Sequence, residues 1–246
     1  MSETIKIDVW SDIACPWCYI GKRKLEYGIA GFGELHPGTG VDVEFHSFEL
    51  APDTPVDFEG SEIDFLAKYK GMPEDQVRGM LDNVTRAAAD VGLDYDFDSL
   101  RHTRTVKAHE LLHYAKEQGR QLEMEERLMK AYFEEGRHVG RDEDLAELAG
   151  DIGLDRDGAL EALRSGAYLD AVRADQAKAV EFGIRGVPFF VIDGKYGVSG
   201  AQAPETFTKV LDRIVEERVE EKPVFEAVGG SEAAVCTDEG CEVPNE

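Results

Sequence analysis

The sequence has few cysteines, no long apolar run and a charged beginning. Four cysteines in 246 residues exclude the small secreted proteins that disulfides hold together, because those chains are short and dense in cysteine. Nowhere do about 18 apolar residues follow one another, which excludes an ordinary transmembrane helix. Residues 1–20 carry scattered charges in place of the apolar segment of a signal peptide. We therefore expect a soluble protein of the cytoplasm.

Basic residues are also scarce, with 27 Lys and Arg against 51 Asp and Glu. A formal net charge of −24 repels nucleic acid phosphates and anionic lipid head groups, so we expect neither nucleic acid nor a membrane as partner. The acids are spread along the chain and predict an anionic surface of the kind that concentrated salt screens. Our hypothesis for this charge is a halophilic origin.

The first part of the chain reads as a strand, a helix and a second strand. Residues 5–9 alternate apolar and charged side chains, which is the period of a half-buried strand, and residues 41–48 do so again. Pro16 suits the first position of a helix, which places Cys15 at its N-cap. The glycine-rich "GIAGFGELHPGTG" (28–40) is expected to end this helix in a loop. The result is a βαβ unit.

Helical periodicity then replaces the strand pattern until strands return near the end. "VPFFVI", the turn Asp193-Gly194 and "KYGVSG" predict a hairpin, and Pro204 begins a last helix. We expect an α/β core interrupted by an all-helical insertion. The predicted division is 1–52 and 176–221 for the two parts of the core, 53–175 for the insertion, and 222–246 for a flexible tail.

The motif Cys15-Pro16-Trp17-Cys18 carries the most chemical information. A cysteine at a helix N-terminus has its thiolate stabilised by unpaired N–H groups and the helix dipole. Cys18 lies one turn further along the same face, where it can attack a mixed disulfide formed at Cys15. The spacing therefore favours thiol–disulfide exchange.

Two other interpretations of the motif stay open. One is half of a zinc site, although zinc ribbons normally supply a second C-x-x-C or a close His pair. The other is a Cys–His hydrolase with His46, His109 or His138 as the base, which would leave Cys18 without a role.

Val187-Pro188 begins the predicted hairpin. A cis bond there would present backbone groups to an extended peptide. An ordinary edge-strand proline is the alternative.

Several segments resemble the DsbA-like thioredoxin-fold proteins, most closely their FrnE branch, over residues 4–215. They are "SDIACPWCYIGKRKLE", "AHELLHYAKEQG", "KAYFEEGRHV" and "GIRGVPFFVIDGKYGVSGAQ". The resemblance implies a thioredoxin fold with a helical insertion, Cys15 as attacking thiol and Cys18 as resolving thiol. It also implies a catalytic cis-proline at Pro188 facing them. We further expect Pro16, Trp17 and Val187 to bind substrate.

A weaker resemblance leads to kappa-class glutathione transferases and 2-hydroxychromene-2-carboxylate isomerases. As the resemblance would have it, those enzymes carry serine where Cys15 stands, and they share the fold without sharing the reaction.

The tail holds a second pair, Cys236 and Cys241. It is a possible secondary redox pair that exchanges with the active site, or an inert local disulfide, and the sequence favours neither.

We conclude from the sequence that the protein is a thiol–disulfide oxidoreductase or disulfide isomerase working through Cys15 and Cys18. Its expected partners are protein or small-molecule thiols and disulfides, and we expect no cofactor and no metal. The alternatives are a glutathione-dependent isomerase or transferase, and a non-catalytic module that binds metal or peptide.

Overall fold

The computed structural model describes residues 4–220, 235–237 and 240–242. The elements, in chain order, are β1 (Ile5–Ser11), α1 (Pro16–Leu35), β2 (Val41–Ser47), α2 (Glu62–Lys70), α3 (Glu74–Ala89), α4 (Val106–Glu117), α5 (Gln121–Phe133), α6 (Asp142–Asp151), α7 (Arg156–Ser165), α8 (Leu169–Glu181), β3 (Phe189–Ile192), β4 (Tyr196–Ser199), α9 (Pro204–Glu220), β5 (Val235–Thr237) and β6 (Gly240–Glu242). In the described ranges no helix is long and apolar enough to cross a membrane.

Four strands form the central sheet in the order β2-β1-β3-β4. β1 pairs with β2 in parallel through α1, and β3 pairs with β1 and with β4 in antiparallel register. The hairpin therefore adds directly to the first βαβ unit, although about 140 residues separate β2 from β3. The predicted α/β core with helices inserted between its two parts is confirmed.

Helix α1 is longer than its glycines suggested. It continues through Gly28, Gly31 and Gly33 to Leu35, so the predicted loop is wrong for residues 28–35 and right for residues 36–40. A Cβ at Gly28 would lie 2.7 Å from the Phe207 side chain of α9. Glycine is thus used here for close packing of two helices, which compensates for its low helix propensity.

The elements between β2 and β3 are helices, as the sequence predicted for the insertion. The predicted boundary at residue 175 falls inside α8, where Asp175 is bonded to the sheet. Its side chain accepts a 2.9 Å hydrogen bond from the Ser47 N–H, and its carbonyl accepts one of 3.1 Å from Trp10 Nε1. The division into domains stays a prediction.

The chain separates into two compact units, Met1–Asp212 and Arg213–Glu246. Within the second unit, β5 and β6 form a two-stranded antiparallel sheet in which Cys236 is directly opposite Cys241. The rest of the segment predicted as a flexible tail, 222–246, lies outside the described residues.

Candidate active site

The two cysteines of the motif lie where β1 passes into α1. Cys15 is the N-cap of α1 with an extended backbone, Pro16 is the first helical residue, and the Cys18 N–H donates to the Cys15 carbonyl at 3.0 Å. Both cysteines are free thiols and both are buried. The helix N-terminus is thus directed at Cys15, as the sequence predicted.

The segment that precedes β3 lies beside the first thiol. The Val187–Pro188 peptide bond is cis. Cys15 Sγ donates a hydrogen bond to the Val187 carbonyl oxygen at 3.7 Å. Pro188 is held from both sides, because its carbonyl accepts from the Gly200 N–H at 2.9 Å and its ring packs against Gly21 of α1. The fold therefore brings together two segments that are 172 positions apart in the sequence.

A cavity of about 430 Å³ opens beside Cys15. Its wall combines the start of α1, the segment after β2, and helices α2 and α3. The lining residues include Cys15, Pro16, Trp17, Leu50, Ala51, Phe65, Leu66, Met80, Leu81, Val84, Phe97 and Val187. The three predicted substrate-binding residues, Pro16, Trp17 and Val187, thus share one mostly apolar cavity, and the Trp17 side chain is 44% exposed at it.

The cavity wall also contains a buried acid–imidazole pair that the sequence did not indicate. His102 Nδ1 lies 2.7 Å from Glu62 Oε2, and the Phe65 ring stacks on the imidazole. Glu62 is the first residue of α2. Acidic residues are common there because they interact favourably with the helix dipole, so the sequence did not indicate the contact with His102.

A second polar cluster lies around the dithiol, in the protein interior. Asp12 accepts a 2.7 Å hydrogen bond from the Leu50 N–H, and its Oδ1 lies 3.4 Å from His109 Nε2. Burial opposes ionisation of Asp12, but His109, the Leu50 N–H and Thr105 outweigh it and lower the pKa of the carboxyl. Burial likewise opposes the charge on His109, yet Asp12 raises the pKa of the imidazole. Asp12 and His109 therefore form a buried ion pair.

Cys18 lies against this cluster. Burial raises the pKa of the Cys18 thiol well above its ordinary value, and the neighbouring Cys15 raises it further, while Ser11 acts in the opposite direction. The Ser11 hydroxyl donates a 3.1 Å hydrogen bond to Glu125 of α5, which is fully buried. Burial raises the pKa of Glu125 to about 7.

Sequence reasoning missed Ser11, Asp12 and Glu125. The first two adjoin the motif in "SDIAC", and their position at the end of a strand could have identified them. Glu125 lies in the charged stretch "LEMEER", in which nothing distinguishes it from its exposed neighbours.

The histidines considered as hydrolase bases have other partners. His46 is bonded to Asp8 and Asp175, His138 Nε2 lies 3.1 Å from the Val56 carbonyl oxygen, and His109 faces Asp12. In the part of the chain that the structure describes, none of the three is hydrogen-bonded to Cys15.

Among the residues that the structure describes, Asp8, Glu44 and His46 have the spacing of metal ligands, with their ligand atoms within 4.8 Å of one another. The carboxylates of this group already have a cationic partner, because Lys6 Nζ lies 3.0 Å from Asp8 and 2.9 Å from Glu44. Neither cysteine of the motif belongs to this group.

The sheet order, the C-x-x-C at the start of the first helix and the cis-proline segment beside it define a thioredoxin-fold protein. The family model of the DSBA-like thioredoxin domain matches residues 6–212 of this chain. The chain belongs to this family of thiol–disulfide oxidoreductases.

Individual relatives agree with this assignment. The chain is 31% identical over 215 residues to the uncharacterized protein YwbO of Bacillus subtilis, covering 85% of this chain and 96% of that protein. It is similar to the crystal structure of a probable DsbA oxidoreductase from Streptomyces coelicolor, with 38% identity and a TM-score of 0.79 over 98% of this chain and all of the other. A 2-hydroxychromene-2-carboxylate isomerase shares the fold at 14% identity, with a TM-score of 0.66 over 89% of this chain and 100% of its own. The fold alone therefore does not decide the reaction.

Proposed function

We propose that the protein is a thiol–disulfide oxidoreductase or disulfide isomerase whose reactive group is the Cys15 thiolate. The observation that carries the proposal is the position of Cys15, at the N-terminus of α1, with its Sγ 3.7 Å from the carbonyl oxygen of Val187 and open to the cavity. The helix N-terminus stabilises the thiolate, which is the nucleophile in disulfide exchange.

In the proposed cycle, Cys15 attacks a substrate disulfide and forms a mixed disulfide with one substrate sulfur. Cys18 then attacks Cys15 and releases that sulfur as a thiolate. Val187 and Pro188 hold an extended substrate segment next to Cys15, and Pro16 and Trp17 contact the apolar side chains beside the substrate disulfide. No cofactor is needed, because the substrate disulfide accepts the two electrons of the dithiol.

The experiment compares reduction of insulin and refolding of scrambled ribonuclease by the wild type, Cys15→Ser and Cys18→Ser. Cys15→Ser is expected to be inactive. Cys18→Ser is expected to accumulate the mixed disulfide, detectable by mass spectrometry, because nothing resolves it. Full activity of Cys15→Ser would contradict the proposal.

The double variant Cys236→Ser/Cys241→Ser is the matched cysteine control and tests the proposed second redox pair. Directly opposed residues of antiparallel strands have Cα atoms about 4.5 to 5.5 Å apart, a separation that a disulfide spans. The register of β5 and β6 therefore supports a local disulfide. Slower reoxidation of Cys15 and Cys18 in the double variant would support exchange with the active site, and an unchanged rate would support an inert pair.

A glutathione-dependent isomerase or transferase is the alternative that the shared fold allows. The cavity wall contributes the carboxylates of Asp12 and Glu62, and the residues described as lining it include no Lys or Arg. Glutathione carries two carboxylates, for which the lining residues offer no Lys or Arg, whereas an apolar peptide segment needs no such partner. Glutathione binding measured by calorimetry, with an isomerase assay, distinguishes the two. Stoichiometric zinc in the purified protein would favour the non-catalytic module.

Membership of the FrnE branch and a cytoplasmic location stay predictions. Cell fractionation with an antibody against this chain tests the location.

A further inference from the structure

The hydroxyl group of Tyr95 contacts the backbone of the C-x-x-C motif and has no role in the cycle proposed above. It donates a 2.7 Å hydrogen bond to the carbonyl oxygen of Pro16, which is 79 positions away in the sequence. Tyr95 lies in the segment between α3 and α4 and is only 6% exposed. A residue of the helical insertion thus contacts the turn that holds the two thiols.

Aromatic neighbours fix the ring of Tyr95. It stacks on Phe133 at the end of α5, with ring centroids 4.6 Å apart, and on Tyr19 of α1 at 6.2 Å. Phe97 packs edge-on against the same ring at 5.7 Å. The adjacent backbone is held as well, because the Asp96 N–H donates to the Phe133 carbonyl at 2.8 Å. The ring and its hydroxyl group are therefore held in one position.

The Pro16 carbonyl belongs to the same peptide unit as the Trp17 N–H. Trp17 is the second residue of α1, and an N-cap side chain accepts from the N–H at the second or third helical position. The N–H at the third position, that of Cys18, donates to the Cys15 carbonyl. The Trp17 N–H is therefore the donor that an ionised Cys15 sulfur at the N-cap can use.

A donor at the carbonyl oxygen of a peptide unit makes the N–H of that unit a stronger donor, because hydrogen bonds in a chain polarise one another. The Tyr95 hydroxyl is such a donor at Pro16. Burial raises the pKa of the Tyr95 phenol, and Cys15 raises it further. The phenol therefore stays protonated and continues to donate at neutral pH.

We propose that the Tyr95 hydroxyl, by polarising the Pro16–Trp17 peptide unit, stabilises the Cys15 thiolate and thereby raises the reduction potential of the Cys15–Cys18 pair. The proposal rests on the dithiol function proposed above. Tyr95 is a positioning residue, because it acts on the sulfur through a peptide unit.

The thiolate exists only in the reduced protein, and this determines the sign of the effect. Oxidation by glutathione disulfide forms the bond between Cys15 and Cys18 and splits the glutathione disulfide, which accepts the two electrons. One proton from Cys18 and one from solvent complete the two glutathione thiols, and the negative charge on Cys15 disappears. A group that stabilises this charge stabilises the reduced form, which makes the pair a stronger oxidant.

The test is a glutathione redox titration of the full chain, with the wild type and Tyr95→Phe compared at constant pH. The fraction of protein with a disulfide between Cys15 and Cys18 is measured by differential alkylation and mass spectrometry. Only the peptide that contains both residues is counted, so Cys236 and Cys241 do not contribute.

The variant Tyr27→Phe is the matched control. The Tyr27 hydroxyl also joins α1 to the segment between α3 and α4, because it donates to the Val91 carbonyl at 3.2 Å. Both variants therefore remove one phenolic hydrogen bond to a backbone carbonyl between the same two parts of the chain. Only the bond of Tyr95 ends at the C-x-x-C motif.

We expect Tyr95→Phe to shift the equilibrium with glutathione about twofold to fivefold toward the disulfide. At about 30 mV per tenfold change, the reduction potential falls by about 9 to 21 mV. This size corresponds to a strengthening by roughly 10 to 30% of a hydrogen bond to a charged group. The potential of Tyr27→Phe stays at the wild-type value.

A merely structural hydrogen bond would stabilise the reduced and the oxidised protein equally and would leave the potential unchanged. The proposal predicts instead that Tyr95→Phe lowers the free energy of unfolding in urea more for the reduced protein than for the oxidised protein. A potential equal to or above that of the wild type overturns the proposal. Failure of the dithiol function is a different result, because wild-type Cys15 and Cys18 then form no disulfide with each other at any ratio of glutathione to its disulfide.

Discussion

At the scale of single residues, Gly21 is the position where the absence of a side chain has the clearest consequence for the site. It lies inside α1, yet a Cβ there would be 2.9 Å from Pro188 Cγ and 3.4 Å from the Phe190 ring. The missing side chain allows α1 to approach the cis-proline segment closely. The position of Val187 next to Cys15 depends on this contact.

Gly21→Ala is therefore expected to destabilise the protein and to lower its disulfide-exchange activity. Added volume in a packed interior costs about 1 to 3 kcal/mol, and a displaced Pro188 moves the Val187 carbonyl away from Cys15. Gly33→Ala is the control on the same helix, because a Cβ at Gly33 meets nothing within 4 Å. There the better helix propensity of alanine predicts a gain of about 0.5 kcal/mol or more. Equal stability of the two variants in urea unfolding would show that the contact with Pro188 is unimportant.

At the scale of elements, a buried histidine connects two strands of the sheet to the last inserted helix. His46 lies on β2. Its Nε2 is 2.7 Å from Oδ1 of Asp8 on β1, and its Nδ1 is 2.8 Å from Oδ1 of Asp175 on α8. The Trp10 ring stacks on the imidazole at 4.6 Å. The charged imidazolium thus holds α8 against the sheet, and His46 is in register with Trp10, near the end of β1 that leads to Cys15.

This cluster predicts a defined pH dependence. Burial lowers the pKa of His46, but Asp175 and Asp8 outweigh it, so the pKa is raised above its ordinary value. Burial likewise opposes ionisation of Asp8, but His46 and Lys6 lower its pKa to about 2. A raised histidine pKa contributes stability that is complete below about pH 6.5 and is lost as pH rises through the folded pKa. The lowered pKa of Asp8 contributes stability that is lost as pH falls toward 2.

The variant His46→Gln tests this. Its free energy of unfolding is expected to be about 1 to 3 kcal/mol lower than that of the wild type between roughly pH 4 and 6.5. The difference in unfolding free energy from the wild type should shrink as pH rises further, because the wild-type histidine becomes neutral. Asp42→Asn, an exposed change on the same strand, is the control. A difference that grows with rising pH would contradict the ion-pair interpretation.

At the scale of the whole molecule, net charge is the dominant property. A formal charge of −24 makes the folded chain repel itself, and this repulsion is strongest where salt is low. The Debye length falls from about 10 Å at 0.1 M salt to about 3 Å at 1 M.

We expect the midpoint of thermal unfolding to rise steeply between 0.05 and about 1 M KCl and to level off when screening is complete. Differential scanning calorimetry at constant pH measures this, with sucrose as a neutral comparison. A midpoint that is independent of KCl would count against both the repulsion and the halophilic hypothesis.

The sequence by itself determined the fold class and the main elements of the candidate site. Apolar alternation predicted β1 and β2, the Asp193-Gly194 turn between two strand segments predicted the hairpin, and the C-x-x-C at a helix start indicated Cys15 and Cys18 as the candidate redox pair. These features are local, because periodicity, N-caps and turns depend on residues a few positions apart. The same local rules were wrong for α1, where the packing of α9 against Gly28 overrides glycine's preference for loops.

Only the tertiary structure decided which distant residues meet. Cys15 contacts Val187, Ser11 contacts Glu125, and Glu62 contacts His102, and no local pattern connects the members of these pairs. Burial is likewise a property of the packed molecule, and it raises the pKa of Glu125 to about 7, whereas ion pairs with Arg23 and Lys22 outweigh burial and lower the pKa of the adjacent Glu126. The sequence thus predicted Cys15 as the nucleophile of the proposed reaction, and the fold determined what surrounds it, because desolvation and long-range contacts arise only when the elements pack together.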